Sequence, residues 1–300
     1  MADTSQQSMR RVLRREVAGI IGLLADAHDF TAMRRYRSFT FDDHTTYLRQ
    51  VEALLRTLAA QGNHTTVALF DPEEYAEFCA GTGLEPDTPS SRTRFTAELA
   101  TTGAVVPYEG QPLTELVPEL IDAAVRLATW EYATMLLAQI GDCASCGEDI
   151  GRAAFSRAMQ LLRRILDTAG PGRRHLVCSV SATPQALVAV LHADQSADGA
   201  TELDESEALE FATVLAVGIA TRSPCGLVMR TTAPDATDRV YGWRLRGEGL
   251  DSLTAGEVFD AYCTDMESGN LVSPESGVDY CTPPDLGVDH GGPATDGHSH

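Results

Sequence analysis

"HLVCSVSATPQALVAVLHA" (175–193) and "GLVMRTTAPDATDRVYGWRLRG" (226–247) decide how this chain folds. In each, two runs of β-branched and other apolar residues flank a Pro-containing break, Ala182-Thr183-Pro184 in the first and Ala233-Pro234-Asp235 in the second. That is the signature of two strands joined by a connection. Leu176-Val177 and Leu227-Val228 stand 51 residues apart at matching positions. Each pair is followed by a helix-opening signature, Asp204-x-x-Glu207 and then Thr254-x-x-Glu257, with Leu209, Ala212, Leu215 and Ile219 filling the first of these helices. Two hairpin-plus-helix units predict one mainly antiparallel four-stranded sheet with helices on one face.

Working outward, helical periodicity runs from Thr114 to about Ile140 through Leu116, Leu120, Ala124, Leu127 and Met135. It resumes with Ala154, Ala158, Leu161, Leu162 and Ile165, ending at Gly170-Pro171-Gly172. Between them lies the turn "GDCASCGEDIG" (141–151). Nearer the N-terminus, Val12, Leu13, Val17, Ile20, Ile21 and Leu24 fall at helical spacing with Arg residues opposite. The apolar run there is about nine residues, short for a signal core and too short for a bilayer, so an amphipathic helix is expected rather than a twin-arginine signal. A second helix, capped by Asp42, carries Tyr47, Leu48, Val51, Leu54, Leu55 and Leu58. The strands "TTVALF" (65–70) and "AVVPY" (104–108) alternate with two further helices, the first opened by Asp71-Pro72-Glu73-Glu74. The fold class expected is therefore α+β: a helical and small parallel α/β domain over 1–112, a long helical hairpin over 113–172, the duplicated domain over 173–264 and a flexible acidic tail over 265–300.

Composition removes several functions. All 23 basic side chains are Arg, so Schiff-base chemistry, the P-loop lysine and the kinase strand lysine are excluded. The bias reads as that of a GC-rich genome. The net charge of −20 is uneven: residues 1–60 carry nine Arg against seven acids, and the rest 14 against 36. Such a body repels phosphate backbones, which disfavours nucleic acid except through the Arg-rich N-terminal segment. Seven cysteines, an odd number scattered over the chain, suit a reducing cytoplasm better than a secreted disulfide framework.

Cys143 and Cys146 sit two residues apart just before a helix, where thiolates serve metal ligation or redox chemistry, or pack as small hydrophobes in a helical turn. "CASCGEDIG" resembles the first knuckle of the zinc finger in DksA/TraR-type regulators, a likeness of about ten residues without the second Cys pair; it implies zinc as cofactor. His175 and Cys178 offer ligands of the right type. A helix over 151–168 carries the chain about 27 Å away at 1.5 Å per residue. The seven residues from Ala169 to His175 return at most about 24 Å, so His175 falls short and Cys178 only just arrives. The candidate metal set is therefore Cys143, Cys146 and Cys178. A redox pair of thioredoxin type belongs at a strand-to-helix junction, which this is not.

Other groups are weaker. Asp71 lies at the carboxyl end of a strand, where open parallel sheets place ligands, and His64, Glu73, Glu74 and Glu109 are near in sequence; helix capping explains Asp71 equally. Arg34, Arg35 and Arg37 beside Tyr36 and Phe39 suit an anion or an acidic partner. His290, His298 and His300 with Asp289 and Asp296 read as incidental. With no catalytic signature found, the sequence points to a soluble cytoplasmic, non-catalytic binding or regulatory protein. It would act through a protein partner or as a homo-oligomer, without a membrane, and with a structural zinc knuckle at Cys143/Cys146. The alternative is an enzyme or nucleotide-binding module with its site at the strand ends near Asp71 and Glu109.

Overall fold

The computed structural model describes residues 19–196, 199–233, 236–264 and 270–286. Residues 12–18 of the expected first helix, Pro234-Asp235 of the second strand connection, and the C-terminal histidines lie outside them. The chain divides into two compact units, residues 1–127 and 128–300. Helices and mixed sheets alternate in both, an α+β fold as expected.

The first unit runs β1 (Gly19–Leu23), α1 (Ala27–Met33), α2 (His44–Ala60), β2 (Thr65–Leu69), α3 (Pro72–Thr82), α4 (Pro89–Thr102), β3 (Val105–Pro107) and the start of α5 (Leu113–Ile140). Its sheet has the order β1-β2-β3. Here two expectations are corrected. Gly19–Leu23 is a strand, not the end of an amphipathic helix, and it pairs in parallel with β2 from Gly19 opposite Thr65 to Leu23 opposite Leu69. The parallel pair is thus β1–β2, whereas β3 runs antiparallel to β2. A five-residue stretch with two Gly and two β-branched Ile has poor helix propensity, and pairing in the sheet overrides its helical spacing. Gly22 is required there: a Cβ would stand 2.8 Å from the Phe70 ring. Helix α2 is capped by Asp43, one residue later than expected, whose carboxylate accepts from Thr46 N–H at 2.8 Å. Tyr75 on α3 is buried and touches the rings of Tyr36, Phe70 and Phe95 at 5.7, 5.2 and 5.5 Å.

The second unit takes the rest of α5, then α6 (Ile150–Thr168), β4 (Gly172–Val180), β5 (Leu187–Gln195), β6 (Thr201–Leu203), α7 (Glu205–Thr221), β7 (Cys225–Thr232), β8 (Asp238–Arg246), β9 (Gly249–Ser252), α8 (Ala255–Tyr262) and β10 (Val278–Tyr280). The four long strands stand in the order β8-β7-β4-β5, extended by the short β6, β9 and β10. All pairings are antiparallel except that of β10 with β8. The two sequence repeats meet along β4–β7, where Val177 lies opposite Val228, their matching positions. Residues equivalent in a duplicated hairpin face one another when the halves are related by a local twofold axis.

Strand alternation sends Leu176, Cys178, Val180, Leu187, Ala189, Leu191, Leu227, Met229 and Trp243 into one core. Helix α7 fills it and is buried almost all round, from Phe211 to Ile219, between the sheet and α6. Close approach is paid for by Gly218, where a Cβ would come within 3.1–3.3 Å of Cys225, Leu245 and Val180. Helix α8 departs from the one-face arrangement: Leu253 and Val258 come within 3.0 Å of a Cβ placed on Gly242, on the strand face opposite Trp243. Part of the segment expected as a tail supplies β10, and Cys281 N–H extends that pairing onto Val240 carbonyl at 2.9 Å. Among the described residues no helix is long and apolar enough to cross a membrane.

Candidate functional site

The thiol turn is a built structure. Gly141 and Gly147 take left-handed φ of +77° and +72°, which only glycine adopts at little cost. Gly147 N–H donates to Cys143 carbonyl and Cys143 N–H to Glu148 carbonyl, both at 2.8 Å, and Asp142 and Asp149 form an antiparallel bridge. Asp149 then caps α6, its carboxylate accepting from Arg152 N–H at 2.7 Å. Gly151 packs against Leu137 of α5, where a Cβ would meet the Leu137 carbonyl at 3.0 Å. On this fixed backbone Cys143 is half-buried, its Sγ 3.0 Å from Ser145 Oγ, and Cys146 is exposed.

Cys178 is not brought to this turn. It points into the core, fully buried, with its Sγ 3.8 Å from Cys225 Sγ. The Cys225 thiol beside it and its burial push Cys178 well above the usual thiol range, so it holds its proton and is a poor ligand. His175, on the opposite face of β4, stacks on His192 of β5 at 4.8 Å. Of the expected metal set, Cys143 and Cys146 are held together by the turn and Cys178 is a core residue.

The strand-end group is also rearranged. Because β3 is antiparallel to β2, Glu109 follows the end of β3 beside Thr65, where Tyr108 N–H donates to Thr65 carbonyl at 2.8 Å. His64 is at that same end, and Asp71, Glu73 and Glu74 are at the other. Asp71 and Glu109 therefore cannot share a site. What does assemble at the carboxyl ends of the parallel strands is Asp26, His28 and Asp29, whose ligand atoms all lie within 4.8 Å of one another. Asp26 caps α1 by accepting from Asp29 N–H at 2.8 Å, and His28 Nδ1 is 3.5 Å from Asp29 Oδ1. Burial, then Asp26 and more weakly Asp71, raise Asp29 above the usual carboxylate range, with His28 opposing. Asp71 itself accepts from Glu73 and Glu74 N–H at 2.6 and 3.2 Å as the α3 cap. Arg35 lies nearby, donating to Pro72 carbonyl at 3.0 Å and stacking over Tyr36 at 5.0 Å. Arg34 and Arg37 are exposed, and Arg37 is fixed through its backbone N–H on Asp87. Asp26, His28 and Asp29 escape the sequence when the preceding strand is taken for helix; the signal that finds them is an apolar run ending abruptly at Asp26-x-x-Asp29, a strand passing into a capped helix.

One face of the second sheet also carries an unforeseen row. His192, His175 and Arg230 are direct neighbours across β5, β4 and β7. Glu207 accepts from His192 N–H at 2.8 Å, and Arg230 pairs with Asp238 and Glu275 at 2.7 and 2.9 Å. Desolvation, then His192 and Arg230, hold His175 below the usual imidazole range. The folded chain thus binds this proton less readily than the unfolded chain. Stability is lost as pH falls below about 6.5, the unfolded value, towards the depressed folded one. His175→Asn is expected to flatten that slope in denaturation midpoints measured between pH 7 and pH 5, and an unchanged slope would show that the loss arises elsewhere.

The fold and these groups define a two-unit α+β protein with a thiol turn in one unit and an acidic, His-containing strand-end cluster in the other. Residues 8–111, which cover most of the first unit, match the model of a domain of unknown function, DUF8829. No curated protein and no solved structure matches the chain.

Proposed function

We propose that this is a non-catalytic binding protein that acts through protein–protein contacts and uses the Cys143–Cys146 turn as a structural metal knuckle. The observation supporting it is the turn itself: two thiols at the spacing zinc takes, accessible, on a backbone fixed by two 2.8 Å hydrogen bonds and two left-handed glycines. Redox use lacks the strand-to-helix junction, since α5 and α6 flank the pair. Metal analysis of the purified chain is expected to return zinc in fixed ratio to protein, lost in Cys143→Ser and retained in Cys178→Ala, which lowers stability instead. Less than about a tenth of an equivalent per chain removes the metal from the proposal.

A second function is favoured by a different observation, the convergence of Asp26, His28 and Asp29 at the ends of parallel strands. Such a group suits a divalent cation, with Arg35 near enough to help neutralise an anion that the cation holds. Without a cation, the crowding of Asp29 opposes its charge, so Asp29→Asn is expected to stabilise the first unit slightly at pH 7. In the unsubstituted chain stability should rise as pH falls through the raised Asp29 value, and the variant should lack that rise. Mn²⁺ titrated calorimetrically should stabilise the chain but not the variant; equal heats for both exclude the cation site.

A further inference from the structure

We infer that the ion at the Cys143–Cys146 turn is shared between two copies of the chain, as zinc held by four thiolates, two from each copy. This rests on the turn being a metal knuckle and adds the partner that completes it.

Structural zinc sites are closed, with four protein ligands in a tetrahedron. The turn supplies two. Cys178, the third sulfur expected from the sequence, is committed to the core beside Cys225. Among the described residues, the only group of three Cys, His, Asp or Glu ligands within 4.8 Å of one another is Asp26/His28/Asp29, so no third ligand of the chain's own closes on the two sulfurs. The nearest carboxylate on the turn with a defined role, that of Asp149, already caps α6. The missing edge of the tetrahedron therefore comes from outside the chain. The simplest source is an identical turn, because a twofold axis through the metal presents two equal Cys-x-x-Cys edges and makes a closed, self-complementary contact. Both thiols are accessible for this, Cys146 fully exposed and Cys143 half so.

Charge determines how such a pair behaves. Each chain carries −20, and Asp142, Glu148 and Asp149 flank the sulfurs. Two copies therefore repel at the turn, and the ion must overcome that repulsion. Binding converts four thiols and Zn²⁺ into a tetrathiolate carrying two negative charges and releases four protons, so no oxidant or reductant is involved and acid weakens the pair. Added salt screens the repulsion and strengthens it.

The test measures zinc content and molar mass on the same sample of full-length chain, before and after a chelator. About half a zinc ion per chain at dimer mass is expected, with return to monomer on chelation and reassembly on adding zinc. Co²⁺ loading should give the intense absorption of a four-thiolate site. Cys143→Ser and Cys146→Ser, with unaltered circular dichroism, should each lose metal about tenfold or more and stay monomeric. One zinc per monomeric chain overturns the sharing and leaves the knuckle intact. A dimer indifferent to chelator and to Cys143→Ser also overturns it, and absence of zinc from every form overturns the knuckle as well.

Discussion

Trp243→Ala is expected to cost the second unit about 3–5 kcal/mol, seen as a lowered denaturant midpoint in circular dichroism. Trp243 is 1% exposed in β8, between Leu227 of β7 and Ser252 of β9, in the core that α7 fills. That core has little room to collapse, because α7 is already pressed against the sheet at Gly218. The cavity therefore persists, which places the cost in the upper part of the range. Trp243→Phe separates packing from polarity. The indole Nε1 has no acceptor among the described residues, and a buried orphan donor costs about 1–3 kcal/mol. Removing that penalty offsets much of the volume lost, so the Phe variant should lie much nearer the unsubstituted chain than the Ala variant. Equal losses for the two would mean that the N–H is satisfied and that the β8 environment differs from the one described.

The four long strands of the second sheet were legible because their alternation has one answer: only one register sends Leu176, Cys178, Leu227 and Met229 to the same side. The same alternation excludes His175 from the side Cys178 occupies. It could also have removed Cys178 from the metal set, since a residue between Leu176 and Val180 on the inward face is a core residue first. The first unit was harder for a non-local reason. Gly19–Leu23 satisfies a helical stripe as well as a strand, and only its pairing with Thr65–Leu69, 46 residues on, decides between them. Misplacing that strand hid the parallel pair, and with it the reason Asp26, His28 and Asp29 converge while Asp71 and Glu109 separate. Segments after Thr264 lack periodicity because β10 is three residues long and takes its order from β8 rather than from its own pattern.

Tyr75→Ala is expected to cost the first unit about 3–5 kcal/mol, while Tyr75→Phe costs about 1 kcal/mol. The ring has no exposed surface and touches Tyr36, Phe70 and Phe95, so its removal undoes the contacts that join α3, α4 and the end of β2. The hydroxyl donates to Pro86 carbonyl at 2.6 Å, and burial pushes its pKa well above the usual phenol range. It therefore acts as a neutral donor across accessible pH, and the Phe variant loses that one bond without a pH-dependent component. The consequence extends to the strand ends, because Tyr75 is one turn from Asp71 and holds the helix whose first carbonyl, on Pro72, binds Arg35. If Asp26, His28 and Asp29 hold a cation with help from that end of α3, Tyr75→Phe should leave the Mn²⁺ heat intact and Tyr75→Ala should reduce it along with stability. A cation response that survives in Tyr75→Ala while the unit melts early would mean that Asp26, His28 and Asp29 bind it without α3, and Arg35 would then drop out of the site.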